Sequence, residues 1–128
     1  MGLMTAQQYM DAAMGLFKTG QPDAAILKSI LVKDQAAKVD QGEGPLFDIG
    51  KGPFAKMLTL VQASYTMGEG EIGLSEATVH ATLTVQAMGR SLPMPVKIAL
   101  VREGLAWKVD GRQCEIAAPQ LGGAAPQL

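Results

Sequence analysis

The chain contains one cysteine, Cys114, and one histidine, His80. A single cysteine excludes an internal disulfide, and one Cys with one His cannot supply the converging ligands of a typical zinc site. Asp40, Glu43 and Asp48 lack the spacing of a calcium loop, so we predict that they lie in a solvated loop. The sequence therefore predicts no metal and no cofactor. Cys114 is predicted to be a small half-buried residue, with pairing between chains as the alternative.

An excess of charge of one sign and a long apolar run are also missing. Eleven Lys and Arg stand against twelve Asp and Glu, and the basic residues are scattered. Nucleic-acid binding needs a concentrated positive field, so nucleic acid is not expected as a partner. No segment approaches the ~20 apolar residues of a membrane span, so the chain is not expected to cross a membrane.

No signal peptide is visible, although the start at Met1–Met4 could follow a removed leader. The compartment stays open at this point. With a removed leader we expect the bacterial envelope or secretion, and otherwise the cytoplasm.

The composition fits one globular domain. Hydrophobic residues make up 48% of the 128 positions, enough for a single core. We place the domain at residues 1–115. Residues 116–128 are predicted to be a flexible tail, because Ala-Ala-Pro-Gln-Leu occurs there twice, at 117–121 and 124–128, on either side of Gly122 and Gly123.

The N-terminal third has helical periodicity. Thr5 and Gln8 have the spacing of a capping box, so the first helix is predicted to begin at Thr5 and to end at Gly20. Pro22 suits the first position of a second helix, which is predicted to run to about Ala37.

Glycines and prolines break the pattern over 39–52, which is predicted to be irregular. Phe47 and Ile49 are expected to anchor this segment to the core. A short helix is predicted within 53–58.

From Leu60 onward the hydrophobic period is two, which predicts consecutive antiparallel strands. Gly68, Gly70 and Gly73 predict a bulge or bend in the first of them. Pro93 and Pro95 lack ladder donors, which places the start of the third strand at an edge.

The alternation divides the sheet into two faces. The apolar side is predicted to face the helices, and it comprises Val61, Ala63, Tyr65, Met67, Val79, Ala81, Leu83, Met94, Val96, Ile98, Leu105 and Trp107. Trp107 is expected in the core against the first helix. The opposite side carries Thr78, His80, Thr82, Thr84 and Gln86, and the lone His80 is read there as a solvated neighbour of threonines, not as a general base. An inverted face assignment would reverse this interpretation.

Several strand and turn segments carry a family resemblance. They are Ala77-Thr78-Val79, Leu100-Val101, Glu103-Gly104 and Trp107-Lys108-Val109-Asp110. With the order of helices before sheet, they resemble the nuclear transport factor 2-like (cystatin-like) superfamily, and most of all small bacterial domains of unknown function. The resemblance implies an α+β fold in which two or three N-terminal helices pack on a curved antiparallel sheet of about four strands.

The resemblance also implies a cone-shaped cavity between sheet and helices. On this basis the predicted ligand-binding residues are Tyr65, Met67, Leu83, Met94, Ile98 and Trp107. These side chains are mostly apolar, and no catalytic residue can be assigned. We therefore expect a non-catalytic binding or interaction domain whose partner is a small apolar ligand or a protein.

Two alternatives stay open. Members of the superfamily include enzymes with a Tyr and a carboxylate in the cone, so the chain could be a small isomerase- or cyclase-like enzyme using Tyr65 with Glu69 or Glu71, if a bulge shifts the register. Members also dimerise through the outer sheet face, so the threonine-rich face could form a homodimer. Simple solvent exposure of that face is the other interpretation.

Overall fold

The structure is a computed structural model that describes residues 2–53 and 55–117. The helices are α1 (Gly2–Thr19), α2 (Ala24–Ile30), α3 (Lys33–Val39), α4 (Pro45–Lys51) and α5 (Ala55–Leu58). The strands are β1 (Gln62–Ile72), β2 (Glu76–Ala87), β3 (Arg90–Glu103), β4 (Ala106–Val109) and β5 (Glu115–Ile116). Helices packed on an antiparallel sheet confirm the predicted α+β class.

The sheet follows the order β1-β2-β3-β4, and β5 pairs with β3. The predicted bulge in β1 is confirmed by a register shift between Met67 and Gly70. Before the shift Met67 pairs with Ala81, and after it Gly70 pairs with Val79. Because one extra residue is accommodated, the positions that face the helices change from odd to even numbers along β1.

The core lies between α1 and the inner face of β2, β3 and β4. Val79, Ile98 and Val109 are fully buried there, opposite Met10 of α1. Glycine allows α1 to approach its neighbours closely. A Cβ on Gly15 would lie 2.7 Å from the carbonyl oxygen of Gln21, and one on Gly50 would lie 2.6 Å from that of Gly20.

The predicted first helix is corrected at its start. The helix is already formed at Gly2, so Thr5 lies inside α1 and is not its cap. The Thr5 hydroxyl donates to the carbonyl oxygen of Trp107 at 3.4 Å. The predicted end is confirmed, since α1 stops at Thr19 and Gly20 takes a positive φ of 86°.

The second helix was predicted to be continuous, and this prediction is wrong. It is divided into α2 and α3 at Leu31 and Val32, both of which have extended backbone. Leu31 forms a parallel bridge with Val109, and the amide of Val32 donates to the carbonyl of Val109 at 3.0 Å. Asp23, not Pro22, precedes the helix as its cap and accepts from the amide of Ile26.

The segment predicted to be irregular contains α4, so that prediction is wrong. Pro45 occupies the first turn of α4, where the missing amide costs nothing. Phe47 is buried as an anchor, but Ile49 is 38% exposed. The short helix predicted within 53–58 is confirmed by α5.

Two predicted core positions at the β3–β4 hairpin need correction. Leu105 lies in the turn and is 94% exposed, so it does not face the helices. Trp107 is half-buried at the margin of the core, with the Arg102 guanidinium 5.7 Å from its ring centroid.

The edge predicted for the start of β3 agrees with the pairing of the described residues. From Arg90 to Pro95, β3 forms ladder pairs only with β2, and β5 begins to pair at Val96. The Pro95 carbonyl accepts from the amide of Ala117. Paired backbone thus continues into the segment predicted as a tail, and residues 118–128 of that prediction lie outside the described residues.

Candidate functional site

An apolar cavity of about 290 Å³ lies between the C-terminal half of α1, helices α4 and α5, and the inner face of the sheet. Every described residue that lines it is hydrophobic. The lining residues are Ala13, Leu16, Phe17, Ile49, Met57, Leu58, Val61, Leu83, Val85, Ala87, Met94 and Ile116. The volume is close to the lower limit of typical small-molecule sites.

The cavity forms at one end of the inner face, and we call this the open end, defined by Leu83, Val85 and Met94. Val85 and Met94 are only half-buried, so the helices do not fill the space above them. At the other end, Ile98, Leu100 and Val109 are at most 1% exposed. We call those three residues the closed end.

A wider groove of about 850 Å³ adjoins the cavity. Phe17 and Val61 line both spaces, so the two are continuous around these side chains. The groove also has polar walls, including Asp11, Lys18 and Tyr65. A ligand can therefore find an apolar space and hydrogen-bonding groups next to each other.

Tyr65 and Asp11 form the principal polar contact of the groove. The Tyr65 hydroxyl donates a short hydrogen bond to Oδ1 of Asp11. Gln7, one turn before Asp11 on α1, also interacts with the phenol. Residues at i and i+4 share a helix face, which explains how both reach the same strand residue.

The pKa of Tyr65 is raised above its ordinary value. Loss of solvation is the largest cause, followed by the hydrogen bond to Asp11, while the contact with Gln7 acts in the opposite direction. The phenol therefore remains protonated near neutral pH and serves as a donor. It is not a base.

The remaining charges of the groove are Lys18 and Asp23. Asp23 is engaged locally, because its Oδ1 accepts from the amide of Ile26 at 3.2 Å. Asp11 and Asp23 together outnumber Lys18, so the groove has a net negative lining.

The sequence-predicted pocket residues are distributed over several places. Leu83 and Met94 line the cavity, and Tyr65 lines the groove. Met67, Ile98 and Trp107 line neither space. Ile98 is fully buried at the closed end, Met67 is half-buried against the core, and Trp107 lies beyond the closed end.

Sequence reasoning missed Asp11 and Phe17 as groove residues. Asp11 stands between the buried residues Met10 and Ala12, at the margin of the apolar face of α1. A polar residue at that margin could have indicated a contact with the sheet. The sequence does not show that the partner of Asp11 is Tyr65, because the two residues are 54 positions apart.

The structure does not bring Glu69 or Glu71 to Tyr65. Both are exposed, and after the bulge Gly70 and Ile72 take the inward positions while Glu71 pairs with Thr78 on the outer side. The enzyme alternative required one of these carboxylates beside Tyr65, and neither lies there. His80 is exposed on the outer face, as predicted, and it pairs with Lys97 of β3.

Cys114 is a half-buried free thiol near Tyr9. Its sulfur donates to the carbonyl of Asp110 at 3.4 Å and accepts from the amide of Ala99 at 3.4 Å. Burial is the main cause that raises the pKa of the Cys114 thiol to about 11. Such a thiol carries little thiolate and is a poor nucleophile.

The described acidic and sulfur-bearing side chains form no cluster that could hold a metal ion. Of the loop carboxylates, Asp40 pairs with Lys28 at 2.8 Å, and both side chains are largely exposed. Among the helices of residues 2–53 and 55–117, none has the length and hydropathy needed to cross a membrane.

No protein-family model matches the chain, and no curated protein matches it. Among solved structures, the chain is similar to a de novo designed β-sheet protein determined by solution NMR. The two share 14% identity with a TM-score of 0.53, over 98% of this chain and 93% of the design. At this identity the likeness shows the fold alone.

A five-substitution variant of a protein named Rd1NTF2_05 also matches. It has 13% identity and a TM-score of 0.47, over 83% of this chain and 92% of the other.

Proposed function

We propose that the chain is a non-catalytic binding domain that takes a small apolar ligand into the cavity of the open end. The observation that carries the proposal is a space of about 290 Å³ lined only by hydrophobic side chains. Water forms few hydrogen bonds in such a space, so an apolar molecule that enters it displaces only weakly bound water.

Among the described residues, those that line the cavity include no acid–base pair, which supports a binding role. Proton transfer requires a group within hydrogen-bond reach of the substrate and with a suitable pKa. The cavity lining offers no titratable side chain, and the phenol of Tyr65 in the adjoining groove stays protonated. An isomerase-like activity would have to rely on Asp11, which is exposed on α1.

A hydrophobic fluorescent dye tests the proposal. The dye is expected to bind with increased emission and to be displaced by an apolar competitor such as decanol. Ala13→Met should abolish dye binding, because the longer side chain extends into the cavity that Ala13 lines. Ala25→Met, on the exposed side of α2, is the matched control and should bind as the parent does.

Dye binding that is absent from the parent protein, or unchanged in Ala13→Met, would reject the cavity as the site. Native mass spectrometry of protein purified without refolding adds an independent readout. Extra mass that is lost on denaturation would identify the class of a bound ligand.

We further propose a homodimer through the outer face of the sheet, following the resemblance to nuclear transport factor 2-like proteins. Thr82 and Thr84 lie in register with Thr66 and Ser64 on one side, and with prolines of β3 on the other. These side chains are uncharged, which suits a self-complementary interface between two copies of the chain. Sedimentation at increasing concentration tests it: Thr82→Lys should shift a dimer to monomer, and a strictly monomeric parent would reject the interface.

A further inference from the structure

The polar end of the ligand can be assigned from the charges around the groove. The lining contains two carboxylates, Asp11 and Asp23, and one ammonium group, Lys18. The carboxylate of Asp23 is used to cap α2. Asp11 is the carboxylate next to the phenol of Tyr65, so it is the group best placed to meet a ligand.

The hydrogen bond from Tyr65 fixes one oxygen of Asp11. Tyr65 donates to Oδ1, and an ionised carboxylate has further acceptor sites on both oxygens. Gln7, on the preceding turn of α1, lies on the same helix face as Asp11 and interacts with the phenol. Asp11 is thus oriented by Tyr65 and retains capacity to accept from a donor on the ligand.

One ligand could occupy the cavity with its apolar end and the groove with its polar end. Phe17 and Val61 separate the apolar cavity from the groove and line both. A molecule whose apolar chain fills the cavity would pass these two side chains and bring its other end into the groove. That end would meet a net negative lining, where a cation is favoured and an anion is repelled.

We propose that the ligand is an amphiphilic amine, with its apolar chain in the cavity and its ammonium group hydrogen-bonded to Asp11 in the groove. This inference rests on the proposed binding function. In it Tyr65 is a positioning residue, which acts through Asp11.

Three probes with the same chain separate the possibilities: decylammonium, decanol and decanoate. Their affinities are to be measured by calorimetric titration at pH 7 with the parent protein and with Asp11→Asn. A charged hydrogen bond should give decylammonium about a tenfold advantage over decanol. Asp11→Asn should remove that advantage and leave the affinity for decanol unchanged.

Asp48→Asn is the matched control, because Asp48 is an exposed carboxylate on α4 that lines neither the cavity nor the groove. It should keep the full preference for the amine. Tyr65→Phe should reduce the preference by a smaller factor, roughly threefold, because Asp11 keeps its charge but loses one hydrogen bond. Circular dichroism establishes that each variant is folded.

The outcomes separate the two proposals. If none of the three probes binds, the proposed binding function is wrong. If all bind with equal affinity, the cavity binds ligands but the assignment of an amine is wrong. Tighter binding of decanoate would also overturn the assignment and would indicate Lys18 as the contact.

Discussion

The two ends of the inner sheet face differ in how completely the helices cover them. At the closed end, Ile98, Leu100 and Val109 are at most 1% exposed. At the open end, Val85 and Met94 are half-buried beside a cavity of about 290 Å³. One sheet therefore has a tightly packed core at one end and an apolar cavity at the other.

The closed end is held by hydrogen bonds between the helices and the β3–β4 hairpin. Lys108 Nζ donates to the carbonyl of Ser29 at 2.8 Å, and the amide of Lys33 donates to Oε2 of Glu103 at 3.1 Å. The bridge from Leu31 to Val109 lies between these contacts. Together they fix the junction of α2 and α3 against the sheet.

The open end is covered by less regular elements. Helices α4 and α5 have seven and four residues, and each contributes a partly exposed side chain to the cavity wall, Ile49 at 38% and Met57 at 56%. Short helices depend on tertiary contacts for their stability. A cavity can persist at the open end because the packing and hydrogen bonds of the closed end hold the helices on the sheet.

The largest expected effect is on the free energy of unfolding: truncating a side chain should cost more at the closed end than at the open end. Ile98→Ala should lower the free energy of unfolding by about 2–5 kcal/mol, because the removed atoms leave a cavity in a packed core. Met94→Ala should cost less, about 1 kcal/mol, because its side chain already borders empty space. Urea denaturation measures both, and equal losses would contradict the distinction between the ends.

The next largest expected effect on stability comes from placing a larger side chain at two neighbouring positions of α1. Ala12 and Ala13 are both buried, but only Ala13 lines the cavity. Ala12→Met should destabilise the protein by about 1–3 kcal/mol through overpacking. Ala13→Met should be close to neutral, because its side chain can enter the cavity.

Thermal or urea unfolding of the two methionine variants gives the comparison directly. Equal destabilisation would mean that the cavity cannot accept a side chain. The same result would weaken the ligand proposal as well.

A smaller effect is expected from the carboxylate that holds the start of α3. Val32 provides no side-chain cap, and Glu103 accepts from the amide of Lys33 in its place. Glu103→Ala should therefore cost about 1 kcal/mol, as for the loss of a helix cap. Glu115→Ala is the control, since its pair with Lys97 is long at 3.7 Å and exposed.

If Glu103→Ala and Glu115→Ala unfold at the same urea concentration, the contact to Lys33 contributes nothing. Hydrogen exchange at the first amides of α3 would locate a loss when one is found.

The sheet was predictable from sequence because its information is local. Alternation along β2 and β3 placed Val79, Leu83 and Ile98 on the inner face, and the glycines near Met67 indicated the bulge. The α+β class follows from this pattern and from the helical periodicity before it. These features depend on residues that are close together in the chain.

The errors arose where a distant residue decides the local structure. The helix predicted from Pro22 to about Ala37 is divided because Leu31 and Val32 pair with Val109. The groove depends in the same way on a contact between Asp11 and Tyr65. Periodicity does not encode such pairings, so the sequence predicted an apolar pocket but not its polar edge.

Cys114 offers a final and smaller test of the closed end, since its sulfur contacts Asp110 and Ala99 there. Burial raises the pKa of the thiol from an ordinary value of 9.0 to about 11. Because the folded state holds the proton more tightly than the unfolded chain, this group favours folding below pH 9, and its contribution is lost as the pH rises towards 11. Cys114→Ala should therefore flatten the alkaline decline in unfolding free energy.

Alkylation with iodoacetamide at pH 8 compares the two ends with the same chemistry. Native Cys114 should react at least about tenfold more slowly than an unfolded thiol, because the thiolate fraction and the access are both reduced. In a Cys114→Ala background, Met94→Cys places the reporter beside the cavity and should react faster than Cys114. Equal rates would mean that water and reagent reach both ends alike, and the difference between a sealed core and an accessible cavity would then have no support.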